Sequence, residues 1–135
     1  MVVMNGKYDG KMKCTMVHQE GTILHSDAPK DVGGEATAFS PTDLMGAALG
    51  TCMLTTMGMF AERHGVDLSG ATVSVTKDMV SDPDRRVGSL SARVVLPGSK
   101  IPTDLRPALQ RVGENCPVYK SIHPGIKTPL EFVYE

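Results

Sequence analysis

Basic clusters, cysteine pairs and bulky aromatic side chains are all scarce in this chain of 135 residues. Its 14 lysines and arginines form no run against 15 aspartates and glutamates, so nothing favours binding to nucleic acid. Three cysteines are too few for a disulfide scaffold, and the first residues lack the apolar core of a signal peptide. We therefore expect a cytoplasmic protein with reduced thiols, whose interior is filled largely by its nine methionines and by aliphatic side chains.

The longest uncharged segment covers residues 44–61, and its composition favours a core helix over a membrane span. Its 18 residues reach only the lower limit for a membrane helix, and three threonines and three glycines dilute it. Gly46 and Gly50 are spaced to let another helix approach closely, so we expect helix pairing there, across a dimer interface.

Short signals at both ends set the limits of this helix. Ser40 is a preferred N-cap, proline suits the first helical position, and Asp43 favours the positive end of the helix dipole. At the other end, Gly65 follows His64 as a C-terminal stop. We expect a long central helix between these points.

The rest of the chain predicts one α+β domain over residues 1–135 with mainly antiparallel strand pairing. Polar and apolar residues alternate, as in half-buried strands, over 11–16, 71–79 and 87–96, and further strands are expected at 21–25 and 128–134. A hairpin turn is expected at Asp9-Gly10 and a loop over 26–39. Two more helices are expected to open at Thr103 and Pro117.

Two of the cysteines suggest a redox pair that folding brings together. Cys52 lies in the middle of the long helix, where an apolar surround would raise the thiol pKa and make it inert unless another group approaches. Cys116 comes just before Pro117 at a helix start, where backbone amides stabilise a thiolate and Lys120 lies one turn further on.

The third cysteine is interpreted as structural. Cys14 shares a strand face with Met12 and Met16, and a buried cysteine behaves as a small apolar residue. A metal site built from Cys14, His18 and His25 has no specific support from their spacing.

Two motifs resemble the OsmC/Ohr family. The first extends from Gly33-Gly34-Glu35 through Ser40-Pro41-Thr42-Asp43-Leu44 to Cys52, and the second is Asn115-Cys116-Pro117-Val118. The order of strands and helices also fits, so the resemblance covers the whole chain. It implies an OsmC-like fold with antiparallel sheets packed around a long central helix, in an intertwined homodimer with two active sites at the subunit interface.

Members of that family are thiol peroxidases, and the resemblance assigns roles to both cysteines. Cys52 would attack an organic hydroperoxide and become a sulfenic acid, and Cys116 would condense with it into a disulfide. A small dithiol or lipoyl-type reductant would restore the pair, without a cofactor, metal, nucleic-acid or membrane partner.

The sequence departs from the best-understood branch of the family at two positions. Thr42 stands where that branch has a glutamate, and no arginine occurs before Arg63 to pair with it. Candidate substitutes for the cation are Lys7, Lys11, Lys13, His18 and His25, and Glu35 is a candidate for the carboxylate. Two hypotheses therefore remain: an organic hydroperoxide peroxidase, or a non-catalytic OsmC-like protein that binds a small hydrophobic or thiol ligand in the dimer-interface pocket.

Overall fold

The computed structural model describes residues 1–135, which form two compact units, Met1–Met45 and Gly46–Glu135. The first unit holds a three-stranded antiparallel sheet in the order β1, β2, β3. Its strands are β1 (Met4–Gly10), β2 (Lys13–His18) and β3 (Ile23–Asp27). The predicted hairpin turn is present after β1, but it includes Lys11 and Met12, both at positive φ, so the expected strand begins two residues later.

The loop predicted over 26–39 begins only at residue 28, because β3 extends to Asp27, and it contains one short 3-10 turn at Lys30–Val32. Backbone hydrogen bonds hold the loop to the sheet: the Ala28 N–H donates to the Met12 carbonyl, and the Asp27 N–H donates to the Phe39 carbonyl. Gly34 packs so tightly on the Ala28 carbonyl that a side chain there would overlap it.

Helix α1 (Pro41–Arg63) has the limits that its end signals predict. The Ser40 hydroxyl accepts the Asp43 N–H at 3.1 Å and the Asp43 carboxylate accepts the Ser40 N–H at 2.9 Å, a reciprocal capping box. At the C-terminal end, Gly65 has φ +70°, and the Val66 N–H closes the last turn on the Ala61 carbonyl.

The second unit contains a three-stranded sheet in the order β4, β5, β6 and two short helices. Its elements are β4 (Thr72–Val80), β5 (Arg86–Leu96), α2 (Arg106–Glu114), α3 (Pro117–Ser121) and β6 (Leu130–Tyr134). A 3-10 turn at Thr103–Leu105 leads into α2. The pair β4–β5 is the predicted antiparallel hairpin, whereas β5 and β6 run parallel. The α+β class is confirmed, with one mixed sheet.

One face of α1 packs on this sheet and forms the main core. Leu49, Met53 and Met57 are fully buried there, in one cluster with residues of β5 and with Leu109 of α2. Gly46 and Gly50 face the valine side chains of β4, and a Cβ on Gly50 would come within 3.1 Å of Val73 and Val75. The expectation that these two glycines face another helix is therefore wrong, because they allow β4 of their own chain to pack closely against α1.

By length and composition alone, α1 is also apolar enough to cross a membrane. The core helices of soluble proteins share this property. The side of α1 that carries Leu49, Met53 and Met57 is covered by protein in the structure.

Candidate functional site

Folding brings two of the three cysteines close to each other within the second unit. Cys52 lies mid-way along α1 and is half-buried, while Cys116 caps α3 and is only 1% exposed. The Cys52 thiol lies near enough to influence the pKa of Cys116, and both thiols are free. The structure thus joins the two residues that the sequence suggested as a pair, although they are 64 positions apart.

The first turn of α3 positions Cys116 as the sequence predicted. Pro117 occupies the first helical position, and the Tyr119 N–H donates to the Cys116 sulfur at 3.4 Å. The Lys120 N–H bonds to the Cys116 carbonyl, which completes the turn. Both the side chain and the backbone carbonyl of Cys116 are therefore hydrogen-bonded to α3, which orients the sulfur.

Burial raises the pKa of the Cys116 thiol. The Tyr119 and Val118 amides act in the opposite direction and lower the pKa, while the Cys52 thiol raises it further. No cation contributes, so the expectation of a stabilised Cys116 thiolate is wrong in its net direction, because the loss of solvent outweighs the amides.

An open groove of about 490 Å³ lies between α1 and α2, lined by residues close in sequence to the two cysteines but by neither cysteine itself. Thr56 is one turn beyond Cys52, and its hydroxyl donates to the Cys52 carbonyl at 2.9 Å. Asn115 directly precedes Cys116 and lines the groove from the other side. The remaining lining comes from Phe60, Ala108, Arg111 and Val112, which makes the surface largely apolar. Sequence reasoning missed this groove, because its walls come from two helices that are distant in the sequence.

A second cluster of charged side chains ties the loop of the first unit to its sheet. The Lys13 ammonium lies 2.8 Å from a Glu35 oxygen and 3.2 Å from an Asp27 oxygen. The Glu35 hydrogen bond is the largest influence that raises the pKa of Lys13. Two of the residues put forward as substitutes for the family's cation and carboxylate thus pair with each other.

Asp27 was not foreseen from the sequence, and it is the most buried member of this cluster. One oxygen of its carboxylate accepts from the Thr37 hydroxyl at 2.6 Å and from the Thr37 N–H at 3.0 Å. These two bonds, with Lys13, hold the pKa of Asp27 well below its ordinary value of 3.8. The other oxygen is buried without a partner. Its position at the end of a strand, before a loop rich in N–H donors, was the only available signal.

Three of the other candidate cations, Lys7, His18 and His25, have partners within the first unit. Lys7 lies 4.0 Å from Asp9, the His25 ring is 3.2 Å from the Thr15 hydroxyl, and the His18 ring accepts the Glu20 N–H. Strand register pairs Cys14 with Ser26 and Thr15 with His25, which puts Cys14 and His25 on opposite faces of the sheet. The three residues considered for a metal site therefore do not converge.

The comparisons with known proteins identify the family. The model of the family described as OsmC-like protein matches residues 33–131, which include both cysteines of the pair. This chain belongs to the OsmC-like protein family. Its fold also matches the folds of OsmC and Ohr proteins of known structure. No curated protein sequence gives a significant match.

Three solved structures illustrate how this OsmC-like protein relates to others. A protein from Psychrobacter arcticus, proposed to act in the osmotic stress and detoxification response, is 34% identical with a TM-score of 0.90 over 98% of this chain and 96% of its own. The organic hydroperoxide resistance protein OsmC from Legionella pneumophila is 17% identical, with a TM-score of 0.78 over 98% and 96%. The organic hydroperoxide resistance protein OhrB of Bacillus subtilis is 14% identical, with a TM-score of 0.70 over 98% and 97%. The last two show the shared fold alone.

Proposed function

We propose that this OsmC-like protein is a two-cysteine peroxidase that reduces organic hydroperoxides. The observation that carries the proposal is the proximity of Cys52 and Cys116, with a largely apolar groove that begins one helical turn further along α1 from Cys52. Cys52 is the more exposed of the two thiols, and an accessible thiol close to a second one suits a peroxidatic and a resolving cysteine. Organic hydroperoxide resistance proteins with the same fold are consistent with it.

In the first step, the Cys52 thiolate attacks the distal oxygen of the hydroperoxide. The O–O bond breaks, the alkoxide leaves and takes up a proton to become the alcohol, and Cys52 is oxidised to the sulfenic acid. Cys116 helps by donating its S–H to the negative sulfur, since its own pKa is raised. The apolar groove favours alkyl hydroperoxides over hydrogen peroxide, because it offers the alkyl group a surface away from water.

In the second step, the Cys116 sulfur attacks the Cys52 sulfenic acid. A disulfide forms and the hydroxyl leaves as water with the Cys116 proton. A small dithiol or lipoyl-type reductant then donates two electrons and two protons through thiol–disulfide exchange, which restores both thiols. A reducing cytoplasm would be the natural setting for this cycle.

We also propose that the working assembly is a homodimer. The first unit presents large apolar side chains to solvent on all three strands, among them Met4, Tyr8, Val17, Ile23 and Leu24. A three-stranded sheet with so little buried surface needs a partner to be stable. Helix α1 also exposes an uncharged stripe on the side away from its sheet, from Met45 through Ala48 and Thr55 to Met59. A second copy of the chain would cover these surfaces.

One observation favours the alternative, a non-catalytic protein that binds a small hydrophobic or thiol ligand. Burial raises the pKa of Cys116, and no cation compensates it. A thiol pair without a nearby cation reacts slowly with peroxides. The groove would then serve as a binding site only.

Steady-state kinetics separate the two functions. The protein is expected to consume cumene hydroperoxide with dithiothreitol as reductant. The Cys52→Ser variant is expected to lose this activity. Without dithiothreitol, the Cys116→Ser variant consumes about one equivalent of peroxide, because the Cys52 sulfenic acid then has no second thiol to form a disulfide with. Cys14→Ser is the matched control and keeps the full rate, because Cys14 lies in the first unit on β2. Consumption no faster than in Cys52→Ser would reject the peroxidase and leave the binding function.

A further inference from the structure

The groove between α1 and α2 carries a single charged side chain, Arg111. Its apolar lining comes from Phe60, Ala108 and Val112, and Asn115, which directly precedes Cys116 in the sequence, also lines it. Arg111 is exposed, and it is its backbone carbonyl that accepts the Asn115 side chain at 2.8 Å. The guanidinium is therefore not part of that bond, and a planar cation is available at the rim of an apolar surface.

A guanidinium in this position matches a carboxylate. Arginine presents parallel N–H donors that bind carboxylate oxygens in pairs, and an apolar floor alongside accepts a hydrocarbon body. The groove volume of about 490 Å³ lies within the range of small-molecule sites. Arg111 is in the last turn of α2, where its positive charge also interacts favourably with the helix dipole. That interaction does not depend on the groove.

We infer that Arg111 is a specificity-determining residue that selects ligands with an apolar body and a carboxylate head. The inference rests on the proposed function, because such a ligand would lie with its reactive end toward the thiols and its head at Arg111. The carboxylate could belong to the hydroperoxide or to the dithiol reductant, and matched substrates distinguish these two sources.

The hydroperoxide arm compares cumene hydroperoxide with its para-carboxylate, which differ only in the anionic group. In the native protein the ratio of kcat/KM for the carboxylate over the neutral compound exceeds one. The Arg111→Gln variant lowers this ratio roughly five- to tenfold, the size expected for one partly exposed charge-assisted contact. Arg111→Lys restores part of it. Lys120→Gln is the matched control, since it removes a cation that does not line the groove, and keeps the native ratio.

The reductant arm compares dihydrolipoate with dihydrolipoamide under the same conditions. If Arg111→Gln lowers only the ratio of kcat/KM for dihydrolipoate over dihydrolipoamide, the carboxylate belongs to the reductant. If it lowers only the ratio for the two hydroperoxides, the carboxylate belongs to the oxidant. Ratios that stay the same in Arg111→Gln for both pairs overturn the inference.

Binding without turnover separates this inference from the peroxidase itself. If no hydroperoxide is consumed, 4-isopropylbenzoate and 4-isopropylbenzyl alcohol are titrated by NMR into the native protein and Arg111→Gln. A preference for the benzoate that disappears in Arg111→Gln supports the role of Arg111 although the peroxidase has failed. Equal binding of both compounds to both proteins contradicts it.

Discussion

Oxidation of the thiol pair is expected to stabilise this protein strongly. A disulfide between Cys52 and Cys116 would close a loop of about 65 residues. In the unfolded reduced chain the two cysteines are free to separate. The loss of chain entropy in the unfolded state corresponds to about 4 kcal/mol at 25 °C for a loop of that length. For a chain of this size the gain corresponds to an increase in Tm on the order of 10–20 °C, less whatever strain the bond introduces.

Thermal unfolding of two samples measures this difference. One sample is reduced with a phosphine, and the other is treated with one equivalent of cumene hydroperoxide, at the same protein concentration because a dimer unfolds in a concentration-dependent way. The oxidised Tm is expected to be higher in the native protein and in Cys14→Ser. In Cys52→Ser and Cys116→Ser the two treatments should give the same Tm. A stabilisation that survives in Cys116→Ser would refute the reasoning, because it could not come from this disulfide.

Two further predictions concern the two units separately. Because the folded pKa of Asp27 is lowered, its contribution to stability is present above its unfolded pKa of about 3.8 and is lost as the pH falls toward the folded value. Tm measured between pH 6 and pH 3 should therefore fall more steeply in the native protein than in Asp27→Asn; parallel curves would contradict the assignment. In α1, Gly50→Val forces a branched side chain against Val73 and Val75 and should lower the free energy of unfolding by roughly 1–3 kcal/mol. The matched control Gly58→Val, which meets open space within the chain, should change it by about 0.5 kcal/mol or less in urea titrations, and equal losses would show that the sheet does not press on Gly50.

The ends of helices were predictable from sequence because their chemistry is local. Ser40 and Asp43 are three positions apart, so the capping box needs nothing from the rest of the fold. The same holds for Gly65 at the end of α1 and for Cys116 before Pro117. In each case the hydrogen bonds that stabilise the feature join residues within a few positions of each other.

Features that depend on distant partners were not predictable in this way. The strand β6 pairs in parallel with β5 after two intervening helices, and no local pattern distinguishes that pairing from an antiparallel one. Gly46 and Gly50 would suit a helix or a sheet as neighbour, so their spacing could not show that β4 covers them. The direction of the Cys116 pKa depends on how completely the core buries it, which only the folded chain determines.

The central claim is that Cys52 and Cys116 form a redox pair, and intact mass tests it most directly. The reduced protein, Cys52→Ser and Cys116→Ser are each mixed with one equivalent of cumene hydroperoxide and measured within seconds. The native protein should lose two hydrogens as the disulfide forms, Cys116→Ser should gain one oxygen on Cys52, and Cys52→Ser should not change. An unchanged native mass after many minutes, or a disulfide that includes Cys14, would contradict the account.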